Sequence, residues 1–174
     1  MDEYYFLKSA RIGFRTWSLD DIGRAIELWG DLEVTKFIGG PFSNSQIQRR
    51  LLTEKSILRL HNIQYWPIFM LETNEFIGCC GLRPYKPDER IYEIGFNIKK
   101  EYWRQGYAME AAQKVVAYTF SNLKAKALFA GHHPENVISK ELLEKLGFQY
   151  ISDEYFEPTG LDHPSYVLNY SNLE

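Results

Sequence analysis

Apolar residues recur with two different periods along this chain, and each period predicts a different kind of element. Alternating apolar and polar residues, or a short apolar run between turn residues, are typical of a strand. Spacings of three and four residues indicate the buried face of a helix. The predicted strands cover residues 11–15, 65–72, 75–82, 91–98, 127–131, 149–156 and 165–170, and the predicted helices cover residues 19–29, 45–60, 108–122 and 134–146.

Turn and capping residues separate these elements. Ser18 and Asp21 resemble a capping box at the start of the first helix. Two glycines followed by a proline prevent residues 36–42 from continuing a helix, so this aromatic segment is predicted to be a loop. The two residues 73–74 between apolar runs predict a hairpin.

Two further connections contain prolines. Pro84 and Pro87 predict a loop before the strand that begins at Ile91. Residues 158–164 are rich in turn residues and lie between two predicted strands. They form either a long hairpin connection or a substrate loop, and we favour the substrate loop.

Composition narrows the class of protein. A chain of 174 residues with 45% hydrophobic residues is long enough for one well-filled core, so we expect a single domain over residues 1–174. A net charge of −3 with mixed signs provides no basic face for nucleic acid. No apolar run reaches 18 residues and no signal segment is visible, so we expect a cytoplasmic protein without a membrane segment.

The cysteines and histidines give little support to a disulfide or a metal site. Cys79 and Cys80 are adjacent in a predicted strand, where their side chains point to opposite faces, so we expect reduced core residues. His132 and His133 are the one pair that could bind a metal, and without spaced partners we expect no metal.

The segment 92–110 passes from a strand through a glycine turn into a helix. Arg104, Gln105 and Gly106 lie in the turn. The first N–H groups of a helix have no intrahelical partner and carry partial positive charge, so this junction can bind phosphate. The pattern fits an ordinary strand-to-helix connection equally well, and the glycine motifs of dinucleotide and nucleoside triphosphate sites are missing.

The residues of this turn resemble a known motif. The run 101–111 is similar to the pyrophosphate loop of the GCN5-related N-acetyltransferases (GNAT), in the branch that includes ribosomal-protein N-terminal acetyltransferases. Gly106 and Ala108 match the loop pattern Gln/Arg-x-x-Gly-x-Gly/Ala. Trp103 departs from it, so we expect this position to contribute packing and no polar contact to the ligand.

A second stretch resembles the same family. Asn136 and Ser139 match Asn-x-x-Ser/Ala, and Lys145, Gly147 and Phe148 match the following Lys-x-Gly-Phe. Both motifs occur in the order that the family shows, each at a strand-to-helix junction. The specific resemblance covers residues 76–148.

The resemblance implies a fold and a co-substrate. It implies an α+β fold with a mixed, mostly antiparallel sheet flanked by about four helices, which opens between the strands 91–98 and 127–131. Acetyl-CoA would enter this gap as co-substrate, with no metal. The residues implied to contact the pantetheine are Phe96, Asn97, Ile98, Asn136 and Ser139, and those implied to contact the pyrophosphate are Arg104, Gln105, Gly106, Tyr107 and Ala108. The alternative for Asn136 is a hydrogen bond to the backbone at the helix start.

Acetylation of an amine requires a base, because a protonated amine is not a nucleophile. Glu93 is the first choice, since a carboxyl group inside an apolar strand is expected to have a raised pKa. The alternative for Glu93 is an ion pair with Arg83 or Arg104. His132 is the second choice, and it could instead be a helix cap or a packed side chain.

The thiolate of coenzyme A leaves in this reaction, and two residues bear on how it gains a proton. Many members of the family carry a tyrosine as general acid where this chain has Leu143, which has no proton to donate. Ser139, one turn earlier on the same face, is a possible substitute.

The resemblance also implies an acceptor pocket opposite the cofactor. Its expected lining is Phe37, Phe42, Trp66, Tyr85 and His163. Aromatic walls suit a cation, and no carboxylate cluster marks a polycation site. We therefore expect a small-molecule amine or a peptide N-terminus in preference to an aminoglycoside, and a monomer or homodimer. The competing hypotheses are a non-catalytic acyl-CoA sensor and a phosphate-binding interaction module.

Overall fold

The computed structural model describes residues 5–172. The strands are β1 (Leu7–Lys8), β2 (Ile12–Phe14), β3 (Tyr65–Met70), β4 (Phe76–Lys86), β5 (Ile91–Ile98), β6 (Ala127–Gly131), β7 (Gln149–Phe156) and β8 (Leu161–Asn169). The helices are α1 (Ile22–Trp29), α2 (Leu32–Thr35), α3 (Asn44–His61), α4 (Tyr107–Ser121) and α5 (Val137–Lys145).

One eight-stranded sheet carries the fold, in the order β1-β2-β3-β4-β5-β6-β8-β7. Only the pair β5–β6 is parallel, and every other neighbouring pair is antiparallel. The predicted α+β class with a mixed, mostly antiparallel sheet is confirmed. The short helix α2 and the two-residue strand β1 were not predicted, because elements this short leave almost no periodic pattern in a sequence.

The sheet opens in its middle. β5 and β6 pair only at Ile91, Tyr92 and Glu93, opposite Ala127, Leu128 and Phe129. Beyond Glu93 the two strands separate, so the second half of β5 has β4 on one side and an unpaired edge on the other. This is the gap that the family resemblance implied.

Each face of the sheet is covered by different helices. On one face, α4 buries Ala111, Ala112 and Val115 against sheet residues such as Ile94. On the other face, α1 and α3 bury Trp29 and Leu51 against another set of sheet residues. That second set includes Tyr65, Phe69, Phe76 and Cys79. The side of the sheet that carries α1–α3 is called the acceptor face below.

Side chains cap the helix starts predicted near residues 19 and 45, whereas α5 begins at Val137 and not at the predicted residue 134. Ser18 and Asp21 form the predicted capping box, although it caps a 3-10 turn that leads into α1. Ser43 and Gln46 form a second capping box at the start of α3. Lys36–Ile38 form a 3-10 turn, and the chain then continues as the predicted loop to α3.

Two predicted loops are shorter than expected, and these predictions are corrected. β4 continues through Pro84 to Lys86, with a bulge at this point that accommodates the missing N–H of proline. β8 begins at Leu161, so the predicted substrate loop 158–164 is reduced to a hairpin turn between Phe156 and Leu161. Pairing with neighbouring strands overrides the local turn preference in both cases.

Candidate active site

The turn before α4 has the backbone conformation that a phosphate-binding junction needs. Gly106 is the N-cap residue with φ +82°, a value that favours glycine. Arg104 also has a positive φ, +59°. No side chain caps the helix. The N–H groups of its first turn, from Tyr107 onward, are therefore available to an anion.

Arg11 lies against this turn, a contact that no sequence motif predicted. Its Nη1 donates to the Gln105 carbonyl oxygen at 3.1 Å, and its guanidinium lies 4.3 Å from the ring centre of Tyr107. A Cβ atom at Gly106 would be 3.4 Å from Arg11 Nη2. The turn therefore carries a guanidinium beside its backbone N–H groups.

Glu110 holds Arg11 in place. It accepts from Arg11 Nε and from the Arg11 backbone N–H, at 2.7 and 2.8 Å, and from Ser9 Oγ at 2.7 Å. Burial alone would raise the pKa of Glu110, but these hydrogen bonds from Ser9 and Arg11 lower it overall. The charged carboxylate thus connects the first residues of α4 to the β1–β2 turn.

The side chains of Trp103 and Gln105 form hydrogen bonds that hold the turn in place. The Trp103 indole packs against the core on the α4 side, and its Nε1 donates to the Ile98 carbonyl oxygen at 2.7 Å. The Gln105 side chain donates back to the Glu101 carbonyl oxygen at 2.8 Å. Trp103 therefore contributes packing, as expected, together with a hydrogen bond that fixes the end of β5.

The unpaired edge of β5 carries the residues expected at the pantetheine. Phe96 packs against the α4-side core and is only partly buried. Asn97 points to the acceptor face, where its Oδ1 accepts from Trp29 Nε1 at 3.2 Å. These contacts fix the side chains, and strand addition requires only the backbone of the free edge.

The second motif forms the start of α5. Asn136 Oδ1 accepts from the Ser139 backbone N–H at 3.1 Å, so Asn136 is the N-cap of this helix. Ser139 is partly buried. Leu143, one turn later, is 2% exposed and belongs to the core. The packing of Leu143 explains why an apolar side chain is stable at this position.

Glu93 lies where β5 and β6 part, on the acceptor face. Its antiparallel partner is Arg83, and directly opposed residues share one face of a sheet. Burial raises the pKa of the half-buried Glu93 carboxyl, Arg83 opposes this shift, and Glu154 adds to it. The net pKa lies above the usual range of a glutamate.

The ion pair considered as an alternative for Glu93 is not formed. Arg83 Nη2 instead contacts Glu54 Oε1 at 2.6 Å. No salt bridge links Glu93 to a cationic side chain within residues 5–172. Arg104 is exposed in the turn before α4. The Glu93 carboxylate is thus available to accept a proton.

Two tyrosine side chains lie close enough to Glu93 for its charge to raise the pKa of each. The Tyr65 hydroxyl lies against Gly95, where a Cβ atom would collide with it. Glycine is therefore the residue that lets this ring approach β5. Tyr85 stacks on Phe129 with ring centres 4.1 Å apart and donates its hydroxyl hydrogen to Glu154 at 3.1 Å.

His132 is packed inside the protein. It is 6% exposed, its Nδ1 lies 2.8 Å from the His133 carbonyl oxygen, and its Nε2 lies 3.4 Å from the Tyr166 hydroxyl. Both ring nitrogens have partners in the protein, as expected for a packed side chain. The role of His132 as a base stays a prediction.

The expected acceptor lining is only partly brought together. Phe37 lies 4.9 Å from the His133 ring, and His133 lies 5.5 Å from the His163 ring. Gly39 approaches Pro158 in the turn between β7 and β8, so this hairpin contacts the aromatic loop. Phe42 lies further along, beside α3.

Trp66 does not belong to this group. It lies in β3, is 1% exposed, and contacts Phe6 and Tyr118 in the core on the α4 side. Its expected place in the lining of the acceptor pocket is therefore corrected. Its neighbour Tyr65 takes the acceptor face instead, because successive strand residues point to opposite faces.

An open cavity beside α3 was not predicted. It has a volume of about 290 Å³ and is called the arginine pocket below. Its lining residues are Phe42, Gln46, Arg49, Arg50, Thr53 and Arg83. The only sequence signal was the adjacent pair Arg49–Arg50 in a predicted helix, which by itself is typical of a solvated face.

We also searched the described residues for a metal site, a membrane-spanning helix and a disulfide. Among residues 5–172, no group of three or more His, Cys, Asp and Glu side chains could hold a metal ion. Across the same residues, every helix lacks either the length or the apolar character that crossing a membrane requires. Cys79 and Cys80 are both buried free thiols, and burial raises the pKa of Cys79 to about 12.

Sequence comparisons identify relatives. A family profile described as "Acetyltransferase (GNAT) domain" matches residues 11–149. "Uncharacterized N-acetyltransferase p20" of Bacillus licheniformis is 32% identical over 145 residues, which cover 82% of each chain. "Uncharacterized N-acetyltransferase YoaA" of Bacillus subtilis (strain 168) is 35% identical over 136 residues, which cover 78% of this chain and 71% of that protein.

Solved structures share the fold. An acetyltransferase of the GNAT family from Bacillus anthracis superimposes with a TM-score of 0.80 at 24% identity, over 94% of this chain and 97% of that chain. RimL, a ribosomal alpha-N-protein acetyltransferase in complex with coenzyme A, gives a TM-score of 0.79 at 13% identity, over 95% and 98% of the two chains. At sequence identities this low, the superposition shows that the fold is shared and does not show a shared substrate.

The family profile spans most of the chain, and its relatives above 30% identity carry names of the same activity. The protein therefore belongs to the GNAT acetyltransferase family and is an acyltransferase.

Proposed function

We propose that this protein transfers the acetyl group of acetyl-CoA to a primary amine, of a small molecule or of a peptide N-terminus, by direct attack on the thioester. One observation carries the proposal. The unpaired edge of β5 has a phosphate-binding turn at one end and the half-buried Glu93, with its raised pKa, at the other. A thioester lying along this edge would join the two.

The cofactor contacts proposed here are of two kinds. The N–H groups of residues 104–108, aided by Arg11, would hold the pyrophosphate. The backbone of Phe96–Ile98 would pair with the pantetheine in the manner of strand addition, and Asn136 with Ser139 would lie across the gap. RimL, which shares this fold, is described in complex with coenzyme A, and this supports coenzyme A as the ligand of the proposed site.

The chemical step needs three groups. Glu93 takes a proton from the ammonium form of the acceptor, and the free amine nitrogen attacks the thioester carbon. A backbone N–H of β5 faces the oxygen on which negative charge develops. The carbon–sulfur bond then breaks and the nitrogen gives up its second proton, which reaches the leaving thiolate through solvent or the Ser139 hydroxyl, because Leu143 cannot carry one; the amide and the free thiol are the products.

Release of free thiol from acetyl-CoA tests the proposal. We expect thiol release with at least one member of a panel of monoamines, amino acids, peptides, polyamines and aminoglycosides. We expect monoamines and peptides to react faster than the polycations. Thermal stabilisation by acetyl-CoA measures binding separately from turnover, since a ligand that binds the native state raises its stability.

Leu143 supports one other function, a non-catalytic acyl-CoA sensor. A sensor would be stabilised by acetyl-CoA in the thermal assay and would release no thiol with any amine. Thiol release above the rate of acetyl-CoA alone would exclude it. Absence of both signals would overturn the proposed cofactor site itself.

A further inference from the structure

The arginine pocket has an excess of positive charge. Three guanidinium groups line it, from Arg49, Arg50 and Arg83, and a single carboxylate, Glu54, contacts one of them. Glu54 is fully buried and already uses both oxygens, one for Arg83 and the other for the Tyr65 backbone N–H at 2.9 Å. Glu54 is therefore not free to neutralise a second guanidinium.

Among the described residues 5–172, Arg50 forms no ion pair, and Glu54 acts on it only through its charge. Its guanidinium lies 4.6 Å from the ring centre of Trp29 and 5.5 Å from that of Phe42. Within residues 5–172, the buried Nε atoms of both Arg50 and Arg83 have no hydrogen-bond acceptor. Buried donors without acceptors are costly and uncommon in native proteins, so this arrangement indicates a missing anion.

The charge state of the pocket leads to the same conclusion. Burial, together with the charge of Arg83, lowers the pKa of Arg50 from its ordinary value. Burial also disfavours the charged form of Arg83, but Tyr65 and Glu54 raise the pKa of its guanidinium overall. Arginine stays charged in proteins, so a bound carboxylate would relieve the repulsion between these two groups.

The pocket adjoins the proposed reaction centre. Arg83 is the cross-strand partner of Glu93, and directly opposed Cβ atoms lie about 5 Å apart. The Arg83 guanidinium lies 4.3 Å from the ring centre of Tyr65, whose hydroxyl contacts Gly95 on β5. A ligand with its anion at Arg83 therefore places groups a few bonds away near the Glu93 carboxylate.

We propose that the arginine pocket binds a carboxylate of the acceptor, carried a few bonds from the amine that Glu93 deprotonates. The inference rests on the proposed acetyltransferase function and specifies its substrate class. A free α-amino acid provides such a carboxylate, and so does a peptide whose first residue is aspartate or glutamate. The planar guanidinium groups match a carboxylate with paired hydrogen bonds, and a cavity of about 290 Å³ accommodates a group of this size.

The test compares acceptors that differ only in the carboxylate. One pair is alanine and alaninamide, and the other is the amidated dipeptides Glu-Ala-amide and Gln-Ala-amide. We expect kcat/KM to be about 10-fold to 100-fold higher for the carboxylate member of one pair, the range for a charge-assisted hydrogen bond. The pair that shows the difference identifies the source of the carboxylate. Equal rates within both pairs would overturn the inference.

Substitutions of pocket residues test whether the preference for the carboxylate acceptor arises in the arginine pocket. Arg50→Gln should raise KM for the preferred carboxylate acceptor about 10-fold or more, and leave kcat/KM for its amide within about 2-fold. Arg49→Gln, at an exposed position, provides the same test if Arg50→Gln folds poorly. Arg59→Gln is the control, because it removes the same charge from an exposed position of α3 outside the pocket. Equal losses on acid and amide would contradict the inference.

The two proposals fail differently. If wild-type protein acetylates amides as well as acids, the carboxylate site is wrong and the acetyltransferase function stands. If no amine releases thiol, thermal shifts with Glu-Ala-amide and Gln-Ala-amide still measure binding to the pocket. Stabilisation by the acidic dipeptide alone, lost in Arg50→Gln, would support the anion site. Equal shifts for the two dipeptides would overturn it.

Discussion

The two sides of the β5 edge are built differently. The cofactor side consists of backbone: a free strand edge, a turn with positive φ at Gly106, and the uncapped start of α4. The acceptor side consists of side chains from distant segments, such as Arg50 on α3 and Arg83 on β4. Under the proposed function, the cofactor side would recognise a group common to the whole family, while the acceptor side could change by substitution without disturbing the backbone.

On both sides a carboxylate holds an arginine side chain in place. On the cofactor side, Glu110 holds Arg11 beside the turn with hydrogen bonds of 2.7 Å and 2.8 Å. On the acceptor side, Glu54 holds Arg83 across from Glu93. Arg11 and Arg83 thus each have a buried or half-buried carboxylate behind them, which fixes their positions. Among residues 5–172 the partly buried Arg50 has no such ion pair, and this supports the proposed ligand there.

The largest expected effect tests the base on the acceptor side. Glu93→Gln should lower kcat at neutral pH by about 10-fold to 1000-fold and leave acetyl-CoA affinity nearly unchanged, because the base is lost and the cofactor contacts remain. The wild-type rate should rise with pH through the raised pKa of Glu93, because only the ionised carboxylate accepts a proton.

The variant should partly recover at high pH, where free amine is more abundant. Glu89→Gln, an exposed glutamate in the turn before β5, is the matched control and should keep the wild-type rate. Full activity of Glu93→Gln at neutral pH would assign the base to His132, a water chain or solvent.

The second largest effect tests the cofactor side. Gly106→Glu should weaken acetyl-CoA binding by about 100-fold or more and remove the thermal shift, because it places a carboxylate at the pyrophosphate. Gly106→Ala separates charge from strain, since both side chains are strained at φ +82° and only one is charged. The same thermal shift for Gly106→Glu and wild type would show that the site assignment is wrong.

A smaller effect concerns Arg11. Arg11→Gln should weaken acetyl-CoA binding about 5-fold to 10-fold, because it removes one guanidinium beside the phosphate-binding turn. The dissociation constant should become less dependent on salt than that of wild type. Lys8→Gln, an exposed charge on the neighbouring strand, is the control. If Arg11→Gln lowers stability but not affinity, Arg11 only supports the turn.

The smallest effect is on stability. The pKa of Glu93 is raised in the folded protein, so the folded state binds the proton more tightly than the unfolded chain. Ionisation of Glu93 therefore lowers the stability of the fold. This cost is absent below the unfolded pKa near 4, grows as the pH rises above it, and is complete above the raised folded pKa. Glu93→Gln should raise the melting temperature at pH 7 to 8 by roughly 2–4 °C and by much less at pH 4. A gain independent of pH would contradict the assigned cause.

Local backbone features of this protein were determined by the sequence alone. The glycine at the strand-to-helix turn, Gly106, and the capping side chain of Asn136 are local signals, although α5 begins three residues later than predicted. Both signals involve residues within one turn of each other, so they can be recognised in the sequence without knowing the rest of the fold. For the same reason the capping box at Ser18 and Asp21 and most element positions were predicted correctly.

Tertiary structure decided which side chains meet. Arg11 contacts the turn before α4, and Arg83 contacts Glu54, across 94 and 29 positions of the chain. Strand pairing carried β4 through Pro84 because neighbouring strands supplied the hydrogen bonds that a local turn preference could not outweigh.

Tyr65 and Trp66 show most clearly which contacts could not be predicted from the sequence. Both are aromatic residues of one predicted strand, and only Tyr65 reaches the reaction centre. Alternation fixes that they point in opposite directions, but which face receives which residue depends on the helices that pack there.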